Sequence, residues 1–271
     1  TPPELETEYF PRKRGLQGLF LKLDRVVRHV EPLIPRALRR KAIERAVRWS
    51  EERMNGEDGF GGIFPPMVYA YEMMVLMGYA KDHPMRRDCM DALKKLVVHR
   101  DDGVSYCQPC LSPVWDTALA AHALLEVGEP RAIAAASRGL DWLVPLQELE
   151  LRGDWTVRRP DVRPGGWAFQ YNNAHYPDVD DTAVVAAAMD RAERGDCSNR
   201  YTPAIARACE WVIGMQSSNG GWGAFEPENT HLYLNNIPFA DHGALLDPPT
   251  ADVSARCLAM LCQLGQMPAS S

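Results

Sequence analysis

Trp211-Val212-Ile213-Gly214-Met215-Gln216-Ser217-Ser218-Asn219-Gly220-Gly221-Trp222-Gly223 decides how this chain is read. A helix end carrying Trp211 runs into a polar turn, and the turn closes on glycines and a second tryptophan. The same frame occurs earlier. Ten residues separate Trp49 from Phe60-Gly61, as ten separate Trp211 from Trp222-Gly223. A third copy begins at Trp142 and Gln147, spaced like Trp211 and Gln216, and carries a long insertion before Gly165-Gly166-Trp167. A worn copy runs from Leu93 to Gly103. Repetition on this scale marks units that bury their apolar faces only by stacking on one another.

Each copy is followed by a small, apolar stretch with helical pattern, over 66–78, 113–128, 180–192 and 252–265. Aligning Thr117-Ala118, Thr182-Ala183 and Ser254-Ala255 spaces the last three at 65 and 72 residues. Strand signals are weak throughout. One amphipathic helix paired with one buried nearly all round predicts an all-α fold, an α/α toroid of the α6-α6 barrel type, with outer helices ringing inner ones. Inner helices of such a barrel run parallel, so their N-termini share one end. Asp116, Asp180, Asp181 and Asp252 all stand at those starts and are expected to converge across one mouth.

The densest acidic stretch is Tyr176-Pro177-Asp178-Val179-Asp180-Asp181-Thr182. Capping accounts for one carboxylate here, with Asp180 and Asp181 the candidates, their charge suiting the helix dipole. Three carboxylates against a buried helix repel one another. One is expected to keep its proton to a higher pH than a free aspartate, with the dipole opposing.

Composition narrows the classes. The 271 residues are 46% hydrophobic and 24% charged, ordinary for a soluble globular protein. The net charge of −6 is uneven: residues 12–41 carry +8, leaving −14 elsewhere. Such an acidic body argues against nucleic acid as a partner. Seven cysteines without regular spacing suggest reduced thiols, and the lone Cys107-Gln108-Pro109-Cys110 is weak support for zinc or redox chemistry. No run approaches the ~20 apolar residues of a spanning helix, and no signal peptide is visible. The chain reads as a piece of a longer protein. Residues 1–14 read as a loop. Residues 15–34 read as a basic, leucine-rich amphipathic helix with Lys22, Arg25 and Arg28 interleaved. It can lie on a membrane surface or dock on its own domain, and the stretch alone favours docking.

Asp178-Val179-Asp180-Asp181-Thr182 matches a DxDD motif, and Gln216 with Gly221-Trp222 matches a QW repeat. With Ser112-Pro113-Val114-Trp115-Asp116-Thr117 and Gly166-Trp167-Ala168-Phe169-Gln170, the chain resembles bacterial squalene–hopene cyclases from about residue 11 to 265. The resemblance implies two α/α barrels around a hydrophobic cavity, with residues 1–110 in the first and 111–271 in the second. It places the segment near 15–34 against the membrane, which reverses the preference for docking. It implies a monotopic protein on the cytoplasmic face, and a possible homodimer. The implied activity is protonation-initiated polycyclisation of squalene to hopene or hopanol, without cofactor or metal. Asp180-Asp181-Thr182-Ala183-Val184 is not the DDxxD that binds magnesium diphosphate.

By motif position Asp180 is the proton donor, Asp178 and Asp181 flank it, and Asp116 and Asp252 stand near. Arg256 occupies a position where many members carry histidine. It can partner the donor as an imidazolium does, or hold Asp180 as a carboxylate. The first is expected, because Asp116 and Asp252 can neutralise the arginine. Trp115, Trp167, Phe169, Phe225 and Phe64 are the implied cavity wall, aromatic faces stabilising cations through their quadrupoles. Phe225 stands where many members have tyrosine, and Phe64 where glutamine is common. Trp49, Trp142, Trp211 and Trp222 are assigned to packing, and Gln216 to a helix end. Other readings are a DxDD cyclase of a diterpenyl diphosphate, a carboxylate glycosidase with an open polar cleft, and an inactive structural piece of a cyclase.

Overall fold

The computed structural model of the chain describes residues 15–196, 199–237 and 245–265. The loop expected over 1–14 lies outside them. The described chain is helical apart from one small hairpin. In order it runs α1 (Leu16–Val30), α2 (Arg36–Glu52), α3 (Phe64–Leu76), α4 (Pro84–Lys95), β1 (Val97–His99), β2 (Ser105–Cys107), α5 (Pro113–Val127), α6 (Pro130–Leu143), α7 (Val179–Asp196), α8 (Thr202–Gly214) and α9 (Ala251–Gln263). The expected inner helices are α3, α5, α7 and α9. Proline in the first turn starts α3, α4, α5, α6 and α8, where its missing N–H would have had no helical partner. The worn copy is instead the antiparallel hairpin β1–β2, in register Val97↔Cys107, with Gly103 at φ 80° in its turn. The β-branched Val97-Val98 suits a pleated strand.

Side-chain contacts fix the direction of the inner helices. His122 of α5 meets the Val184 carbonyl of α7, and Glu126 further along α5 pairs with Arg191 further along α7. Arg256 of α9 pairs with Asp180, and Gln263 near its end bonds Ala187 and Asp190. Contacts that advance together on both helices mean parallel helices. So α5, α7 and α9 lie side by side with their N-termini at one end. The outer α6 packs on α5 and α7, and α8 packs on α7. This is the toroid arrangement.

The repeat is written in hydrogen bonds. The Trp222 indole donates to the Val212 carbonyl at 2.7 Å, its backbone N–H to Ser254 Oγ at 3.0 Å, and its carbonyl accepts Thr250 N–H at 3.1 Å. Trp167 does the same with Leu143 (2.7 Å), Thr182 (3.0 Å) and Asp178 (2.7 Å). Thr182 and Ser254, aligned on sequence alone, are thus one structural part. Each tryptophan clamps the end of its outer helix to the start of the next inner helix. Glycine lets the chain in: a Cβ on Gly166 would come within 2.7 Å of the Trp211 ring.

The main core joins α5 to α9 around Trp155, Trp167, Trp211, Trp222 and Met189. Two smaller clusters lie under α3 and α4, around Met67 and Met74. A polar junction connects the two parts. Arg53, stacked 4.1 Å from the Trp49 ring centre, makes a two-pronged pair with Asp154, which also accepts the Tyr176 hydroxyl at 2.6 Å. Asn172 donates to Asp58 nearby. A cavity of about 450 Å³ opens here, lined by Glu52, Asn55, Gln147, Glu148, Asn173 and His175, and includes none of the acidic motif.

The helix expected near 15–34 is present as α1. Leu21 is its buried residue and the helix packs against the 3-10 turn Leu232–Asn236, while Leu19, Leu23, Val26, Val27 and Val30 are exposed. Among the described residues no helix is long and apolar enough to cross a membrane.

Candidate active site at the inner-helix mouth

The acidic stretch forms the first turn of α7. Asp178 is its cap: Oδ1 accepts the N–H of Asp180 at 2.7 Å and of Asp181 at 3.3 Å. This corrects the expectation that Asp180 or Asp181 caps. With Asp178 holding the exposed amides, Asp180 and Asp181 are released to project from the helix on different sides.

Asp180 points toward α9. Both its oxygens accept from Arg256: Oδ2 from Nη2 at 2.7 Å, and Oδ1 from Nε. The same Nη2 reaches Asp252 at 3.4 Å, and the guanidinium carbon lies 5.6 Å from the Trp115 ring centre. The hydrogen bond to Asp180 raises the Arg256 pKa further. A planar fork matching both oxygens of one carboxylate is a geometry that imidazole cannot make. Three inner helices therefore meet here, through Trp115 of α5, Asp180 of α7 and Arg256 with Asp252 of α9. Asp116 lies at the same end but is exposed and takes a hydrogen bond at 2.8 Å from Ser112, the residue just before its own helix.

Asp178 and Asp181 are buried away from that pair. Burial pushes Asp178 up to about 7, against the two backbone hydrogen bonds and with help from the charges of Asp180 and Asp247. Burial, then the charges of Asp178 and Asp180, push Asp181 up to about 9. Asp181 is 1% exposed, and among the described residues its Oδ1 has no hydrogen-bond partner. Burial first, with the neighbouring carboxylates adding to it, thus pushes up both flanking acids. Cys257 on α9, buried beside Asp180 and Asp178, is likewise pushed up, by burial first.

The aromatic positions divide. Phe64 and Phe225 are about two-fifths exposed and Phe169 is half-buried, all with surface free for contact. Trp167 is 0% exposed, and its clamp is the twin of the Trp222 clamp. Trp167 therefore packs as Trp222 does, and its indole face meets protein on every side. Gln147, in the third copy, is buried and donates to the Gly165 and Ala204 carbonyls, whereas Gln216 bonds Gly220 within its own turn rather than a helix end. Asp247 is missing from the sequence expectations. It lies outside any helix, where no periodicity marks it, although Pro248-Pro249 ahead of α9 is a visible signal of a fixed entry.

Among the described residues, no group of three or more His, Cys, Asp or Glu is placed to hold a metal ion. The six described cysteines are free thiols.

Parallel inner helices α5, α7 and α9, clamped by repeated Trp turns and carrying acids at one mouth, define an α/α-toroid protein. The profile of the squalene-hopene cyclase C-terminal domain matches residues 111–271, and that of the squalene-hopene cyclase N-terminal domain matches residues 1–102. The chain belongs to the squalene–hopene cyclase family. It is 58% identical over 248 residues to a squalene–hopene cyclase of Bradyrhizobium diazoefficiens, covering 92% of this chain and 37% of that protein. It is 56% identical over 252 residues to one of Zymomonas mobilis, covering 91% and 38%. With one of Alicyclobacillus acidocaldarius the identity is 41% over 261 residues, covering 94% and 41%. The chain spans about two-fifths of the length of these relatives.

Proposed function

We propose that this chain is the central part of a squalene–hopene cyclase, and that it carries the acid that starts the cyclisation. Residues up to about 110 then belong to one barrel and those from 111 to the other. The division of the core into satellite clusters under α3–α4 and a main cluster over α5–α9 supports this. The single observation that carries the function is the acid cluster. One carboxylate faces the inner mouth in the grip of an arginine, and two buried carboxyls behind it are pushed up by burial.

An isolated alkene is a weak base, so its protonation needs a dry, strong acid. Asp180 is the acid in this proposal. It gives its proton to the terminal C=C of squalene, the alkene electron pair forms the new C–H bond, and a tertiary cation is left. Asp180 becomes a carboxylate, the form that the Arg256 fork fits. Loading Asp180 with a proton requires Arg256 to release one oxygen, and Asp252, already 3.4 Å from Nη2, is the carboxylate it turns to. Trp115, Phe169, Phe225 and Phe64 offer faces to the migrating cation. Loss of a proton, or capture of water, ends the cascade. The exposed apolar side of α1, with Lys22, Arg25 and Arg28 beside it, supports attachment to a membrane surface, where squalene is dissolved.

The test is incubation of the full-length protein with squalene in detergent, beside its Asp180→Asn variant, with products read by gas chromatography–mass spectrometry. Pentacyclic product from the parent alone is expected. Equal product from both proteins would return Asp180 to a structural role. Turnover of geranylgeranyl diphosphate in place of squalene would move the substrate to the diterpene class.

A further inference from the structure

Asp247, on the segment leading into α9, has no part in the chemistry above, yet its contacts run straight into the acid cluster. Its Oδ2 accepts the Phe225 N–H at 2.9 Å, and the Ala224 N–H also favours its charged form. The Ala224 carbonyl accepts the N–H of Val179, the first residue of α7, at 2.8 Å. The Ala224 carbonyl and the Phe225 N–H are two ends of one peptide group. That peptide carries Asp247 on its nitrogen side and the acid helix on its oxygen side.

The first amides of a helix have no partner within it. At α7 they are shared out: Asp178 takes those of Asp180 and Asp181, and the Ala224 carbonyl takes that of Val179. A charged acceptor on the N–H end of a peptide polarises it and strengthens its carbonyl as an acceptor. The approach is close enough to require glycine: a Cβ on Gly223 would lie 2.8 Å from the Asp247 carbonyl oxygen and 3.4 Å from its Oδ2.

We propose that Asp247 is a positioning residue for the acid cluster, holding the Ala224–Phe225 peptide so that it fixes both the start of α7 and the wall position Phe225. This rests on the function proposed above and names a further part of the same site. Asp247 acts through backbone groups and touches no reacting atom. Its charge has a second effect, since it is one of the influences holding the Asp178 carboxyl up. The charged and titratable groups around the cluster are Asp178 capping α7, Asp180 and Asp181 on α7, Asp247 on the connecting segment, and Asp252, Arg256 and Cys257 on α9.

Two variants of the full-length protein separate the effects. Asp247→Asn keeps an oxygen acceptor and removes the charge; Asp247→Ala removes both. Amide hydrogen exchange over residues 177–182, squalene turnover against pH, and the product spectrum are measured on each. Asp247→Ala is expected to raise exchange at the Val179 amide, lower kcat at least 30-fold with KM within threefold, and release partly cyclised products. Asp247→Asn is expected to keep the protection, lose less than tenfold in kcat, and move the high-pH limb of activity to lower pH. The proposal is overturned if Asp247→Ala leaves Val179 exchange and the products unchanged, or if both variants lose only thermal stability at an unshifted pH profile. A parent protein that does not turn over squalene defeats the proposed function, and the exchange experiment in that same protein still decides whether Asp247 holds Val179.

Discussion

Asp181 is the carboxyl whose state the fold alters most plainly. An aspartate in an unfolded chain titrates near 3.9, and burial raises this one to about 9. Between those values the folded protein holds a proton that the unfolded chain has lost. Its contribution to stability is therefore fullest below the lower value and declines as pH rises through the window, by at most about 1.4 kcal/mol per pH unit. Asparagine resembles the protonated acid and cannot ionise. Asp181→Asn is thus expected to gain in melting temperature over the wild type as pH rises from 5 to 8.5, the pH dependence of both being read by calorimetry. Parallel curves for the two proteins would mean that Asp181 ionises in the fold like an ordinary aspartate. Arg256 has the opposite character: its charge is permanent, and geometry alone decides which carboxylate it serves.

At the scale of elements, the tryptophan clamp is the repeated device. Trp167 and Trp222 each tie an outer helix to the next inner helix through an indole N–H, a backbone N–H and a carbonyl. Removing the indole donor leaves a carbonyl of Leu143 or Val212 without that partner and opens space beside it. Trp167→Phe and Trp222→Phe are each expected to cost about 2–4 kcal/mol, and to match within about 1 kcal/mol. Urea denaturation of the two variants checks this. A Trp167→Phe protein of full stability and altered product would assign Trp167 to the cavity wall rather than to packing. The clamp sets the position of Asp178, whose N–H it holds, and so sets the start of α7.

Across the whole molecule, the polar junction connects the part built on α2–α4 to the part built on α5–α9. Burial pushes the Asp154 carboxyl up, but hydrogen bonds from Arg53 and Tyr176 outweigh it and leave the carboxyl below its ordinary value. Tyr176 stands two residues before Asp178, so the junction also braces the acidic stretch from behind. Arg53→Ala would leave Asp154 with the tyrosine hydroxyl in place of a charged partner, at an expected cost of about 2–4 kcal/mol. Limited proteolysis is expected to cut faster within 147–176 in this variant. Unchanged cutting and unchanged stability would show that the two parts hold together without the pair.

The sequence by itself determined the helical repeat, the inner helices and the acids at their starts, because each is written in local pattern: tryptophan spacing, apolar periodicity and turn glycines. The match of Thr182 to Ser254, made on letters alone, reappears as two equivalent hydrogen bonds. The Trp167 clamp was legible too, since Gly165-Gly166-Trp167 closes a repeat just as Gly220-Gly221-Trp222 does; motif analogy pointed away from it. Only the tertiary structure decided which carboxylate caps α7, which one Arg256 grips and which are pushed up by burial. Those outcomes depend on how deeply each side chain is buried and on what a neighbouring helix brings to within 3 Å, and neither is encoded in adjacent residues. Asp247 belongs with them, because its partners are backbone groups of a turn more than twenty residues away.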